Sequence, residues 1–195
     1  MPEAAHKITP ADILSDHDYE ARRDELRKEA IAVKKHRRVE VGPFATFYFE
    51  NYLTMWLQVQ EILRIEKGGA EQIAGELEAY NPLIPQGDEL IATLMLEIED
   101  ADRRNTVLLT LGGIEETIFM EIGDAHIKAT PTEYEDRTTP DGKTSSVHWL
   151  RFKLTPDLIG RFKTERVVIG IGHKNYGHMA VLSDETRAAL AKDFD

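Results

Sequence analysis

The chain has 195 residues, 42% of them hydrophobic, which is enough apolar material for one domain with a core of its own. It contains no cysteine, which excludes disulfides, thiolate zinc sites, cysteine-ligated iron–sulfur clusters and cysteine nucleophiles. Its 35 acidic and 24 basic residues give a formal net charge of −11, so the summed field repels polyanions and nucleic acid is not expected as a partner.

The N-terminal segment MPEAAHKITP is not expected to be a targeting signal. It lacks the apolar core of a secretion signal and the Arg-rich, acid-poor character of a transit peptide. No apolar stretch approaches the length of a membrane span. We therefore expect a cytoplasmic protein that makes no membrane contact.

The first helix is predicted to begin at Ser15 or Asp16 and to end near Arg38. The residues that recur at spacings of three and four are Tyr19, Arg23, Leu26, Ala30 and Val33. The last turn of this helix then carries four cations within five residues, which are Lys34, Lys35, Arg37 and Arg38.

Two interpretations of this basic run stay open. Cations at a helix C-terminus interact favourably with the helix dipole, at about 0.3–1 kcal/mol each when exposed, and here they would pair with Glu40 or Glu50. Alternatively the run binds an anion or the acidic face of a partner. We expect Arg38 to be paired internally and Lys34 or Lys35 to remain exposed.

Gly42-Pro43 breaks the chain, and the aromatic segment 44–50 that follows is predicted to form a strand. The next helix runs from Tyr52 to Gly68-Gly69, and a shorter one runs from about Ala70 to Tyr80. The apolar positions of the longer helix follow i, i+3, i+4, i+7 spacing, and they are Tyr52, Met55, Trp56, Val59, Ile62 and Leu63.

From Glu89 onward the pattern is that of strands. Segment 89–99 is apolar on both alternating faces, which predicts a central strand covered on both sides. Residue pairs and caps mark the remaining elements: Asp100 caps a helix that ends at Gly112-Gly113, Gly123-Asp124 turns a hairpin, TPDG turns a polar loop, Thr155-Pro156 starts a short helix, KNYG turns a second hairpin, and Ser183 caps a C-terminal helix. The sequence predicts a single α+β domain over 1–195, in which a helix-rich part (1–80) packs on a mainly antiparallel sheet from a strand-rich part (89–195).

Three histidines are the candidate metal ligands. His173 and His178 bracket KNYG, so a four-residue hairpin loop would place them opposite each other at a separation compatible with a shared metal. If the strand of His148 neighbours that hairpin, three imidazoles converge, with Glu61 as a further ligand. The other interpretation is a half-buried, hydrogen-bonded His148 and an exposed hairpin pair. A metal held by His and Glu is the cofactor class that the residues allow.

Two carboxylates in apolar surroundings need explanation. Glu61 lies between apolar positions of the second helix, where it is either a ligand or base, or the ion-pair partner of Arg38 or Arg151. Glu97, near the end of the central strand, allows the same two interpretations. Gly170 to Gly172 do not form a nucleotide loop, because the third glycine of the fingerprint is absent, and neither a Walker A nor a GxSxG sequence occurs.

Four segments together resemble an uncharacterised prokaryotic family, the domain of unknown function 3501 family. They are AVKKHRRVEVGPFATFYFEN, QVQEILRIEK, YNPLIPQGDELIATLMLEIE and SSVHWLRFKLT, and the resemblance extends over nearly the whole chain. The resemblance implies a genomic neighbourhood: genes of family members often lie beside genes for rubrerythrin-like, ferritin-type proteins and for iron–sulfur oxidoreductases of the heterodisulfide-reductase type. It brings no established catalytic residues.

The functional hypothesis is a non-catalytic accessory or binding protein of a cytoplasmic redox or peroxide-stress system. Its expected partners are the rubrerythrin-like or iron–sulfur oxidoreductase proteins that the resemblance implies. The competing hypothesis is a metal-dependent enzyme of unknown substrate built on His148, His173 and His178, with Glu61 or Glu97 as a further residue.

Overall fold

A computed structural model describes residues 6–132 and 137–195. The helices are α1 (Asp16–Lys35), α2 (Tyr52–Glu66), α3 (Gly69–Tyr80), α4 (Ala101–Leu109), α5 (Pro156–Phe162) and α6 (Asp184–Leu190). The strands are β1 (Arg38–Val41), β2 (Ala45–Phe49), β3 (Glu89–Leu96), β4 (Ile118–Ile122), β5 (Ala125–Lys128), β6 (Thr130–Pro131), β7 (Val147–Lys153), β8 (Val167–His173) and β9 (Tyr176–Val181). Within these described residues, no helix is both long and apolar enough to cross a membrane.

The strands form two antiparallel sheets, which confirms the α+β prediction. One sheet has five strands in the order β1-β2-β3-β7-β6, and the other has four in the order β5-β4-β8-β9. Strand β3 lies at the centre of the five-stranded sheet, as its two-sided apolar pattern predicts. The sequence predicted a single sheet from the second half, whereas β1 and β2 come from the first half and the strands divide between two sheets.

The five-stranded sheet separates two hydrophobic cores. Phe47, Leu94 and Phe152 on one face share a core with Met120 and Ile169 of the four-stranded sheet. On the opposite face, α1, α2 and α3 pack against the sheet around Ile91, and the buried helical residues include Tyr19, Leu26, Trp56, Val59 and Leu77. The helix-rich part therefore packs on a sheet, as predicted.

Side-chain caps start the helices where the sequence indicates. Asp100 accepts a hydrogen bond from the Arg103 amide at 2.7 Å, and the Ser183 hydroxyl accepts one from the Thr186 amide at 3.1 Å. Thr155 precedes the proline at the first position of α5. Because these devices act within one helical turn, they can be identified without knowledge of the tertiary fold.

The turn predictions have different outcomes. Gly123-Asp124 joins β4 to β5, as predicted. In the TPDG turn, the Gly142 amide donates to the Thr139 carbonyl at 2.8 Å, while residues 133–136 of the polar loop lie outside the described residues. The predicted four-residue KNYG loop is wrong, because His173 pairs with Tyr176 and only two residues form the turn.

Candidate functional site

The basic run divides between a helix and a strand. Helix α1 ends at Lys35 rather than near Arg38, because Arg38 already pairs with Tyr48 in the β1–β2 ladder. Lys34 and Lys35 are exposed, as expected for at least one of them, and no described carboxylate lies within ion-pair distance of either. The four cations therefore do not share one face.

Arg37, rather than Arg38, is the internally paired cation. Its Nε donates to Phe49 O at 2.9 Å, and its two terminal nitrogens donate to Ala189 O at 3.3 Å, to Glu50 O at 2.9 Å and to both carboxylate oxygens of Asp193. A guanidinium has five N–H donors, and all five are used. Arg37 therefore ties the end of α1 to β2 and to the C-terminal residues, and it has no donor left for a ligand.

Arg38 lies in β1, at the edge of the five-stranded sheet, with its side chain 46% exposed. Its Nη2 is 3.0 Å from a carboxylate oxygen of Glu40 and 3.7 Å from one of Glu97, and its guanidinium is 5.7 Å from the ring centre of Tyr48. Burial raises the pKa of Glu97, but hydrogen bonds from Thr46 and Tyr48, with the charge of Arg38, lower it overall. Arg38 and Glu97 thus form a local surface network.

Glu61 is an ion-pair residue, and its partner is Arg23 rather than Arg38 or Arg151. Its Oε1 accepts hydrogen bonds from Arg23 Nε at 2.8 Å and from the Tyr19 hydroxyl at 2.6 Å. The Arg23 hydrogen bond is the main cause that lowers the pKa of Glu61 to about 2. The carboxylate joins α2 to α1, so its oxygens are already committed within the helical layer.

The structure does not bring the three candidate histidines together. His178 pairs with Ile171, and His173 pairs with Tyr176, so these histidines do not face each other across the ladder. The cause is Tyr176: its buried hydroxyl donates to Val41 O at 2.7 Å and accepts from the Ala45 amide at 3.0 Å, which anchors this residue in β9 instead of in a loop. His148 belongs to β7 in the other sheet.

His148 is buried beside Glu115. Its Nε2 lies 2.9 Å from Ser145 O, and its Nδ1, which has no hydrogen-bond partner, lies 3.8 Å from Glu115 Oε2. Burial is the main cause that lowers the pKa of His148. Across the part of the chain that the structure describes, no group of three or more His, Asp or Glu side chains is placed to hold a metal ion.

A cavity of about 480 Å³ lies where the end of α1 and the start of α2 meet residues 84–85 and the C-terminal residues; we call it the terminal cavity. Most of its surface is apolar, from Ala32, Val33, Leu53, Ile84, Pro85 and Ala189. Its polar lining comes from His6, Glu29, His36, Asn51 and Lys192, with Tyr52 and the Arg37–Asp193 pair in its wall. Sequence reasoning missed this site, because its walls come from segments almost a chain length apart.

The charged groups of the terminal cavity differ in availability. Burial raises the pKa of Asp193 against the effect of Arg37, whose guanidinium occupies both of its oxygens. His6 lies 2.7 Å from Pro85 O and 3.3 Å from Asp195 Oδ2. By contrast, exposed Glu29, His36 and Lys192 have no ion-pair partner among residues 6–132 and 137–195. These three side chains are available to a ligand at the cavity mouth.

The fold is an α+β arrangement of two sheets and a helical layer, and a mainly apolar pocket with a charged mouth lies beside α1, α2 and the C-terminal residues. The family model described as "Protein of unknown function (DUF3501)" matches residues 7–194, so the chain belongs to this family, as the resemblance indicated. A solved structure of a novel protein of unknown function from Burkholderia pseudomallei K96243 is similar to it, with 34% identity and a TM-score of 0.89 over 97% of this chain and 100% of that chain. The search of curated proteins gave no match.

Proposed function

We propose that this protein is a binding protein whose ligand is a small molecule held in the terminal cavity, and that it serves as an accessory of a redox or peroxide-stress system. The cavity is the observation that supports binding. Its volume of about 480 Å³ falls in the range of ligand pockets, about 300–1,000 Å³, and such pockets are typically apolar with a few placed polar groups.

The lining favours a ligand with an apolar body and a polar or charged end. The apolar walls of Val33, Leu53 and Ile84 would contact the body. His36, Lys192 and Glu29 at the mouth would contact the polar end, because these exposed side chains make no ion pair within the described residues. Arg37 is excluded as a ligand contact by its five internal hydrogen bonds.

The state of the lining groups favours binding over catalysis. Burial raises the pKa of Tyr52 to about 12, so its hydroxyl stays protonated, and the Asp193 carboxylate is held by Arg37. Catalytic sites usually place a nucleophile within hydrogen-bond reach of a base. The hydroxyl of Tyr52 hydrogen-bonds Asp12, which lies outside the lining, rather than a base within the cavity.

The cavity is tested with 8-anilinonaphthalene-1-sulfonate, a fluorescent probe with apolar rings and one sulfonate. Ala32→Trp places an indole in the cavity, whereas the neighbouring Ile31→Trp adds the same indole outside it, where Ile31 is 65% exposed. We expect wild type and Ile31→Trp to bind the probe and Ala32→Trp to lose at least tenfold in affinity. Equal affinity in the two variants would contradict a cavity site.

The accessory role is supported by the family's genomic company and by the two unpaired lysines at the end of α1. Lys34→Glu/Lys35→Glu reverses both charges without removing an internal contact, so the variant should stay folded, with a stability loss limited to the helix-dipole interaction of about 0.3–1 kcal/mol per lysine. Lys28→Glu is the matched control, because Lys28 is exposed on the same helix. We expect only the double variant to lose rubrerythrin-like or iron–sulfur proteins in an affinity pull-down analysed by mass spectrometry. Retention of these proteins by the double variant would refute the lysine surface.

A further inference from the structure

Strand β9 is an edge strand of the four-stranded sheet, and β1 packs near its Tyr176 end. It is the last strand in the order β5-β4-β8-β9, and its ladder is with β8. In the described residues no backbone hydrogen bond connects β9 to any other segment. Met179 and Val181 are 63% and 52% exposed, which is high for apolar side chains.

The ladder determines which backbone groups face outward. It closes at His173–Tyr176 and continues to the Leu182 amide, which donates to Val167 O at 2.9 Å. In an antiparallel pair, alternate residues direct their N–H and C=O away from the partner strand. In β9 these residues are Gly177, Met179 and Val181.

This edge lacks the features that normally prevent strand pairing. Natural edge strands carry charges, proline or bulges for this purpose. Segment 176–182 contains no charged residue and no proline, and it pairs with β8 without a bulge. In a chain of net charge −11, such a neutral strip is where two copies can approach with the least repulsion.

We infer that β9 pairs antiparallel with β9 of a second copy, about a two-fold axis at Met179, to form a continuous eight-stranded sheet. In this register the outward-facing groups of the two strands meet, Met179 against Met179 and Gly177 against Val181. Gly177 has no side chain, so it leaves room for Val181 of the second copy. The strand is thus complementary to itself in size.

Charge complementarity supports a second copy as the occupant of this edge. Lys174, in the turn before β9, and Asp184, at the start of α6, flank the strand at opposite ends, so in an antiparallel pair the Lys174 end of one copy lies towards the Asp184 end of the other. Lys174 is exposed at the turn, and Asp184 is 89% exposed at the start of α6, where it also contacts Arg187 at 2.8 Å. The two-fold axis makes this pair twice. A strand from an unrelated protein is not expected to carry charges complementary to both Lys174 and Asp184.

The first test measures the mass of the untagged full chain by light scattering after size exclusion. We expect wild type at twice the 22.1 kDa of one chain and Met179→Lys as a folded monomer, because the change places two ammonium groups on the axis. Ile65→Lys is the matched control, because Ile65 is 70% exposed on α2, and it should remain dimeric. A monomeric wild type, or a dimer unaffected by Met179→Lys, would overturn the inference.

The second test is a charge exchange. Lys174→Glu and Asp184→Lys should each weaken the dimer at least tenfold, and the double variant should recover most of its affinity. Circular dichroism verifies that each variant is folded. If the loss of dimer affinity in the double variant equals the sum of the losses in the two single variants, the proposed register is wrong. This inference is independent of the terminal cavity, so either can fail without the other.

Discussion

Arg37 offers the sharpest test of how the ends of this chain are held. Replacement by Met keeps most of the buried side-chain volume but removes five hydrogen bonds and leaves the Asp193 carboxylate without its cation. The side chains of Arg37 and Asp193 are only 4% and 7% exposed, so water solvates little of the carboxylate when its partner is lost. Removal of one partner from a buried ion pair typically costs about 3–5 kcal/mol.

This loss is large compared with the stability of a typical domain, about 5–15 kcal/mol. The free energy of unfolding is measured from urea denaturation at pH 7, with the slope checked for constancy. Arg38→Met is the control, because Arg38 makes an exposed pair worth about 0–1 kcal/mol. Arg37→Met/Asp193→Leu should regain most of the loss, since an apolar pair can replace a buried ion pair.

The pH dependence gives a second measurement on the same variants. Burial raises the pKa of Asp193, so the folded state binds its proton more tightly than the unfolded state does. Stability linked to this group is therefore present at low pH and is lost as the pH rises through the folded pKa. Arg37 opposes the raising effect of burial, so without it the pKa of Asp193 rises further. Arg37→Met should therefore lose more stability at pH 8 than at pH 5. Equal costs for Arg37→Met and Arg38→Met would refute the reasoning.

Two further predictions concern buried titratable groups. Because burial lowers the pKa of His148, its contribution is present above the unfolded value of about 6.5 and is lost as the pH falls below it. His148→Gln should flatten the dependence of the unfolding free energy between pH 7 and pH 5, and an unchanged slope would contradict this. Glu61, with a pKa of about 2, stabilises the fold above the unfolded value of about 4.3 and loses this effect as the pH falls towards 2. Glu61→Gln should cost about 1.5–3 kcal/mol in urea at pH 7 and far less at pH 2, and an equal cost at both would show that the charge is unimportant.

Features that depend on neighbouring residues could be predicted from the sequence. The caps at Asp100 and Ser183, the proline start of α5 and the Gly123-Asp124 turn are each set by contacts within a few residues. The two-sided apolar pattern of β3 identified the centre of the larger sheet, because a strand that is buried on both faces is apolar at consecutive positions.

Strand β1 and the KNYG turn show where local reasoning failed. Segment 38–41 follows a strong helix with no breaker, but β2 supplies a ladder for it, so the chain leaves the helix at Lys35. The turn after β8 is short because the hydroxyl of Tyr176 binds the β1–β2 turn, more than 130 residues away in sequence. The first outcome was decided by the ladder to the next strand, and the second by a hydrogen bond to a segment more than 130 residues away.

The fold class, the helix caps, the central strand, the family and the absence of cysteine chemistry could all be read from the residues, because they depend on composition, spacing and short-range contacts. The tertiary structure alone decided the partner of each charge and the position of the terminal cavity. Arg37 and Arg38 are adjacent and chemically identical, yet Arg37 is buried against Asp193 while Arg38 lies on the surface beside Glu40. The physical reason is that the burial of a charged group depends on how segments distant in the chain pack around it. Burial in turn sets the strength of its electrostatic interactions.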